Sequence, residues 1–383
     1  MAIFALSFEN LYSPAMSQVI QNKSIRKIFR LLLAGMLLLS FSTVKANEEG
    51  GEKFDAGKMI VEHISDAHDW HLWGEHDHAV SVPLPIILKS EKGLHFFMSS
   101  AFHHDIEGKH VVENNGERFV MLHNHIYYAA DSATAEGGYV TVNEKGEATN
   151  AAPLDFSITK NVVMLLIVIA FVLYITLSAA RHYKKNGAVA PKGAASFVEP
   201  IVIFVRDEIA HKSIGPKYKK FVPYLLTLFF FIWTGNILGL LPGAANLTGN
   251  IAVTFTLAMI TFVIVNVNGN KDYWKHVFAT PGVPAMLLPI MVLVEFIGLF
   301  TKPFALMVRL FVAITAGHIV ILSFIALVFI FESYSIGVLS TIMVTFINVI
   351  ELLVATIQAY VFTLFSAMYI GSAVAEHEHD DHH

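Results

Sequence analysis

Two apolar runs near the C-terminus, Met286 to Ile330 and Gly337 to Tyr369, constrain this chain more than any other feature. Each exceeds the length of about 20 residues that a helix needs to cross the hydrocarbon core of a bilayer. Either each run divides into two crossings, or each is one long and strongly tilted helix. The segment between them, Phe331 to Ser335, is short and holds neither Lys nor Arg. We favour two long helices folded back as an antiparallel hairpin, with their turn on the outer side of the membrane.

Three further runs complete the pattern. Asn161 to Ala180 is of spanning length, and Arg181, Lys184, Lys185 and Lys192 come directly after it, which assigns that loop to the cytoplasm. Lys217, Lys219 and Lys220 introduce a run from Phe221 to Leu241, which ends at Pro242-Gly243 in a connector free of Lys and Arg. Ile251 to Val267 returns and is closed by Lys271 and Lys275. Basic and uncharged loops therefore alternate, as five crossings require. Between the first two crossings, Ser196-Phe-Val-Glu199 reads as a capping box opening a helix in which Ile201, Val202, Val205 and Ile209 interleave with Arg206, Asp207, Glu208 and His211. Such a helix is expected to lie along the membrane surface.

The composition agrees: 55% of the 383 residues are hydrophobic and 15% charged, too apolar for one water-soluble core. The net charge of -5 and the absence of a basic stripe argue against nucleic acid as a partner, and lipid is the solvent that matters. With no cysteine, the chain has neither disulfides nor thiolate chemistry.

The N-terminal part differs. Lys23, Arg26, Lys27 and Arg30 precede the apolar stretch Leu31 to Phe41, and Val44-Lys45-Ala46 has the small-residue character of a cleavage site. Residues 1–46 are expected to be a signal peptide, translated from Met1 or Met16, so the segment beginning at Asn47 is exported. Residues 47–155 are polar and carry eleven of the nineteen histidines. Strands are expected at Val80 to Leu88, Gly93 to Ala101, Arg118 to Ala129 and Gly138 to Asn143. The expected fold is an all-α polytopic membrane protein over 156–373, with five membrane-crossing helices, a long tilted C-terminal hairpin and one amphipathic surface helix. A small, mostly β exported domain precedes it, and an acidic, histidine-rich cytoplasmic tail, 374–383, comes after it.

Between Met286 and Ile370 the charged side chains are Glu295, Lys302, Arg309, Glu332 and Glu351, with His318 as the one histidine. An arginine within the bilayer costs at least about 2.5 kcal/mol, so a purpose is the default reading. Lys302 and Glu332 can snorkel to the interfaces and read as structural. At about 100° and 1.5 Å per residue, Arg309 and His318 lie about 14 Å apart along one helix and on opposite faces. Glu351 and Gln358 share a face about 10 Å apart. Two hairpin arms can present His318 and Glu351 to each other while Arg309 faces outward. Ala313, Thr315, Ala316 and Gly317 flatten the helix beyond the arginine, which suits the close approach of a partner helix. Arginine keeps its proton and suits electrostatic work, whereas Glu and His can relay protons.

These residues resemble the ATP synthase subunit a family. The resemblance rests on Lys302-Pro-Phe-Ala-Leu-Met-Val-Arg309-Leu-Phe311 with Ala316-Gly317-His318, on Pro223-Tyr-Leu-Leu-Thr-Leu-Phe229, on Asn236-Ile-Leu-Gly-Leu-Leu-Pro242, and on Glu351 with Ile357-Gln358-Ala-Tyr-Val-Phe362. It covers roughly residues 196 to 369. It implies a proton-translocating, non-catalytic stator subunit of a rotary ATP synthase in a bacterial inner membrane, working against a ring of c subunits and beside subunit b. By the same resemblance, Arg309 meets each ring carboxylate, His318 and Glu351 form the polar pair of an outer half-channel, Gln358 stands close to the arginine, and Glu295 lies near an inner half-channel. No cofactor and no small-molecule substrate beyond the translocated ion are implied. Many members have Asn four residues after the arginine; this chain has Ala313. Residues 47–155 lie outside the pattern.

His63, His68, His71, His76 and His78, set among Asp66, Asp69, Glu75 and Asp77, supply ligand types for zinc or copper, but their spacing repeats in no defined way. Solvated or locally hydrogen-bonded histidines are the reading we prefer, with a pH-buffering antenna at a channel mouth as the functional alternative. A zinc transporter would need several His and Asp ligands inside the spans, and a secondary transporter an internal repeat of the hairpin. Neither is found, and no nucleotide-binding loop or nucleophile constellation suggests an independent enzyme.

Overall fold

The computed structural model describes residues 56–73, 80–134, 137–143, 147–187, 194–241, 243–278, 284 and 286–375. The signal peptide and the acidic tail expected from the sequence lie outside these, apart from Val374 and Ala375, as do His76 and His78.

The N-terminal region opens with helix α1 (Ala56–Ile64) and continues in short antiparallel strands: β1 (Asp69–Trp73), β2 (Val80–Pro83), β3 (Pro85–Ser90), β4 (Gly93–Met98), β5 (Glu107–Asn114), β6 (Glu117–Leu122), β7 (His125–Tyr128) and β8 (Leu154–Asp155). They form a β1-β2 pair and two three-stranded sheets, ordered β4-β3-β8 and β5-β6-β7. Ile86, Leu88, Phe102, Phe119 and Ile126 make the core between the larger sheets. The β character is as expected, but the boundaries are not. Arg118 to Ala129 is two strands, because His123 and Asn124 take φ values of 47° and 63° and close a two-residue hairpin turn. Gly138 to Asn143 is no strand. Tyr139 bonds instead through its N–H to the Gly108 carbonyl and through its carbonyl to Ala130, which leaves an isolated Val142–Ala148 bridge. Val80 to Leu88 also divides, into β2 and β3 on either side of Leu84, and helix α1 and strands β1, β5 and β8 were not expected; in β5 the apolar alternation is diluted by Glu107, Lys109, His110 and Glu113.

The rest is helical. Helix α2 (Lys160–Asn186) carries the first apolar run. Its N-terminus is capped from outside the helix: Asp66 accepts from the Asn161 N–H at 3.2 Å and from the Thr159 hydroxyl at 2.8 Å. Helix α3 (Ala194–Phe204) passes into a π-helical stretch, Val205–His211, whose Val205, Ile209 and Ala210 are buried. Ser196 is not its cap, since the helix already includes Ala194 and Ala195, both strong helix formers. Helices α4 (Val222–Gly239) and α5 (Ile251–Val267) form the second and third runs, and α5 bends by 104° into α6 (Lys271–Phe278).

The C-terminal hairpin consists of α7 (Leu288–Phe331, 44 residues) and α8 (Tyr334–Val374, 41 residues), neither of them divided. At 1.5 Å per residue α7 is about 66 Å long, roughly twice the hydrocarbon thickness, so within a bilayer it must lie more along the membrane than across it. The turn is tight because Glu332 takes the left-handed conformation, φ 45°, as the helix C-cap, which gives this acidic residue a structural place. Four described helices are long and apolar enough to cross a membrane, or five if α5 and α6 count as one broken span. At the far end α8 is held close: a Cβ at Gly371 would collide with the Ser213 carbonyl oxygen, and Asn270 donates its N–H to the Ala373 carbonyl.

Candidate functional site

The two hairpin arms run antiparallel, so residues past the middle of α7 meet residues before the middle of α8. His318 Nε2 and Glu351 Oε1 stand 3.6 Å apart, with the Glu351 side chain 2% exposed and that of His318 17%. This is too long for a direct hydrogen bond, and the two side chains attract as charges only when the imidazole holds a proton and the carboxyl has lost its own. Room for the carboxylate comes from Gly317, where a Cβ would lie 2.7 Å from Glu351 Oε1. The small residue at this place therefore admits the chain's own glutamate, and the expectation that it serves a partner helix is corrected at Gly317. Ala316, one residue before, is exposed.

Arg309 points the other way, as nine residues of helix require. It lies exposed on a stripe with Ala305, Val312, Ala316 and Ile319, at spacings of three and four. Its guanidinium carbon sits 4.4 Å from the centroid of the Phe365 ring. Helical side chains lean toward their own N-terminus, and the N-terminal half of α7 runs beside the C-terminal half of α8, so Arg309 reaches this later aromatic. Lys302, two turns earlier, takes the same relation to Tyr369 at 5.7 Å. A cation over a ring face gains about 0.5 to 2 kcal/mol, which offsets part of the cost of holding an arginine in lipid without neutralising it.

Gln358 is half-buried and lies seven residues from both Glu351 and Phe365, on the same strip of α8. Glu295 stands apart. It is about 21 Å from Arg309 along α7, and its Oε1 faces His276 Nδ1 of α6 at 3.7 Å. The structure thus joins His318 to Glu351, sets Arg309 and Gln358 along the same hairpin, and places Glu295 in a separate polar contact.

The last helix is fixed by polar bonds that pattern reading did not single out. Buried Asn236 of α4 donates to the Ala355 carbonyl at 3.2 Å and accepts from the Thr248 hydroxyl at 2.6 Å. Trp233 Nε1 donates to Thr356 Oγ1 at 3.2 Å, and Thr261 meets Ser366 at 3.4 Å. In lipid such bonds fix rotation, because an unpaired polar group has no water to turn to. They set which face of α8 offers Glu351 to α7. The sequence signal was present: Asn236 and the threonines interrupt otherwise apolar helices.

In the N-terminal domain three of the described histidines, His68, His95 and His104, each stand beside one carboxylate. His68 Nε2 lies 2.7 Å from Asp155 Oδ2, and His104 Nδ1 lies 2.7 Å from Asp69 Oδ2. Burial works against ionisation of Asp155, yet hydrogen bonds from His68 and Ser157 outweigh it and hold the carboxyl at about 2.

A long apolar hairpin that buries a carboxylate beside an imidazole and displays an arginine on its opposite face defines a polytopic membrane protein built to handle charge within the bilayer. The chain belongs to the family described as ATP synthase A chain, which matches residues 162–371. Among its relatives, ATP synthase subunit a of Chloroherpeton thalassium is 47% identical over 59% of this chain and 69% of its own length. The proteins of the same description from Chlorobium phaeobacteroides and Myxococcus xanthus are each 47% identical, over 60% of this chain and over 68% and 77% of their own lengths. Residues 59–156 match a second family, described as Domain of unknown function (DUF8433).

Proposed function

We infer that this chain is the membrane-embedded, proton-translocating stator subunit of an F-type ATP synthase, a structural and conducting component of that complex and not its catalytic part. The observation that carries the inference is the division of labour on α7: His318 turned inward to Glu351, Arg309 exposed on the opposite face and resting on the Phe365 ring.

The exposed stripe around Arg309 faces a ring of c subunits, and the remaining helices meet lipid, subunit b and the other subunits. Protons arriving from the outer side pass by Glu351 and His318 to a ring carboxylate, travel with the rotor, and leave near Glu295. Arg309 separates the two paths by repelling cations and keeping the departing carboxylate ionised, while Gln358 shares its strip of the hairpin. Neither half-channel crosses the membrane alone. Each charge moved through 100 mV supplies about 2.3 kcal/mol, so several must pass for each ATP made. The complex lies in a bacterial inner membrane, with the β domain, exported behind a signal peptide of residues 1–46, on the periplasmic side and the tail in the cytoplasm.

Arg309→Ala in the assembled complex tests this. ATP-driven acidification of inverted membrane vesicles should be lost while ATP hydrolysis persists; normal acidification would rule out the role given to Arg309.

A further inference from the structure

The N-terminal domain does not hang free of the membrane helices. Its first helix, α1, packs against α7, the arm that carries His318. Three bonds fix this placement. Asp66, directly after α1, caps α2; the Lys160 ammonium donates to the His63 carbonyl at 3.3 Å; and Trp70 Nε1 donates to the Gly243 carbonyl at 2.6 Å in the connector between α4 and α5. The domain thus bridges the outer ends of α2 and of the α4–α5 pair, and lays its only described α-helix along the hairpin.

We propose that α1 forms one wall of the outer proton inlet and that His63, near its C-terminal end, is an additional proton-accepting group that hands protons to the His318–Glu351 pair. This rests on the stator reading above and deepens it at the outer side.

His63 is exposed, so water reaches it, and its helix packs along α7, the arm that carries His318. The elements packed about α1 bring charged and titratable groups of their own: Lys160 at the head of α2, whose ammonium reaches the His63 carbonyl, Asp66 in the turn after α1, and the His318–Glu351 pair of the hairpin. Its own helix carries Lys58 and Glu62. An imidazole is the side chain whose ordinary range spans the pH of an energised outer face. The step is a proton transfer only: a ring nitrogen of His63 takes a proton from outer water, releases it toward His318, and returns to the neutral ring. A fixed acceptor matters most where free protons are scarce, so its contribution should rise with outer pH.

The test uses the whole complex in proteoliposomes with the outer domain facing the lumen. ATP synthesis is driven by an imposed membrane potential while lumenal pH is set between about 6 and 8, either side of the ordinary imidazole range. His63→Ala should lower the rate by about tenfold at the alkaline end and much less at the acidic end. Imidazole loaded into the lumen should restore it, which a lost packing contact would not allow. His63→Gln, which keeps the bulk of the side chain, should show the same loss and the same rescue. A wild-type rate and pH profile in both variants, or a loss that imidazole does not relieve, overturns the relay. Glu351→Gln in parallel separates the two levels of inference: synthesis at the normal rate there would remove the half-channel reading itself.

Discussion

Gly317→Ala probes the tightest point of the hairpin. The added methyl would lie 2.7 Å from Glu351 Oε1, 3.0 Å from the carboxyl carbon and 3.3 Å from Cγ, against an ordinary contact of about 3.4 Å or more. The carboxylate must retreat by about 0.7 Å or the arms must part, and overpacking of this kind costs about 1–3 kcal/mol. If that cost falls on bringing Glu351 to its proton-transfer position, with about 1.4 kcal/mol for each tenfold in rate, pumping falls by roughly 5- to 150-fold. The readout is the initial rate of ATP-driven acidification in inverted vesicles, normalised to assembled complex. Adding Glu351→Asp withdraws the carboxylate by one methylene, about 1.5 Å, so the double variant should assemble as well as the wild type and suffer no extra loss beyond Glu351→Asp alone. Full activity of Gly317→Ala would show that the close approach of the two arms has no bearing on conduction, and the reasoning would fail.

Asn236→Ala should lower the stability of the membrane domain by about 0.6–2 kcal/mol, since the Thr248 hydroxyl and the Ala355 carbonyl lose their shared partner; unfolding in mixed micelles measures it, and an unchanged midpoint would mean that the bonds fix nothing. Asp155 gives a pH dependence whose sign is set by its lowered value. Its carboxyl sits at about 2 in the folded chain against 3.8 ordinarily, so its contribution is complete above pH 3.8 and disappears as pH falls through 2. Hydrogen exchange at Leu88 and Lys89, which pair with β8, should rise across that window after correction for the intrinsic rate, and Asp155→Asn should remove the step.

Much of the membrane architecture was legible because its signals are long. Apolar runs located α2, α4, α5, α7 and α8, with α2 running on past Ala180 to Asn186, and the undivided arms agree with the favoured reading of two long helices. Helical phase alone set Arg309 and His318 on opposite faces, as found. Contact between elements distant in sequence was not legible. Gly317 read as a docking groove because periodicity cannot tell an external partner from a glutamate 34 residues later in the same chain. Glu295 was read through the resemblance alone, and its neighbour His276 belongs to a helix set off by a 104° bend at Asn268-Gly269-Asn270, a turn signal that marks the break but not its direction. In the N-terminal domain short strands with mixed polarity blurred the boundaries, and the role of Asp66 as a cap for a helix more than ninety residues away could not be read locally.

The claim on which the rest depends is that the uncovered face of α7 around Arg309 is where the rotor passes. Because the chain has no cysteine, single cysteines can be placed on that face without a background. Val312→Cys and Ala316→Cys, paired in turn with cysteines along the ring helix beside its carboxylate, should form oxidative cross-links to subunit c, while Ile314→Cys, buried behind them, should not. Cross-links from Ile314 alone, or from none of the three in a fully assembled and active complex, would contradict it.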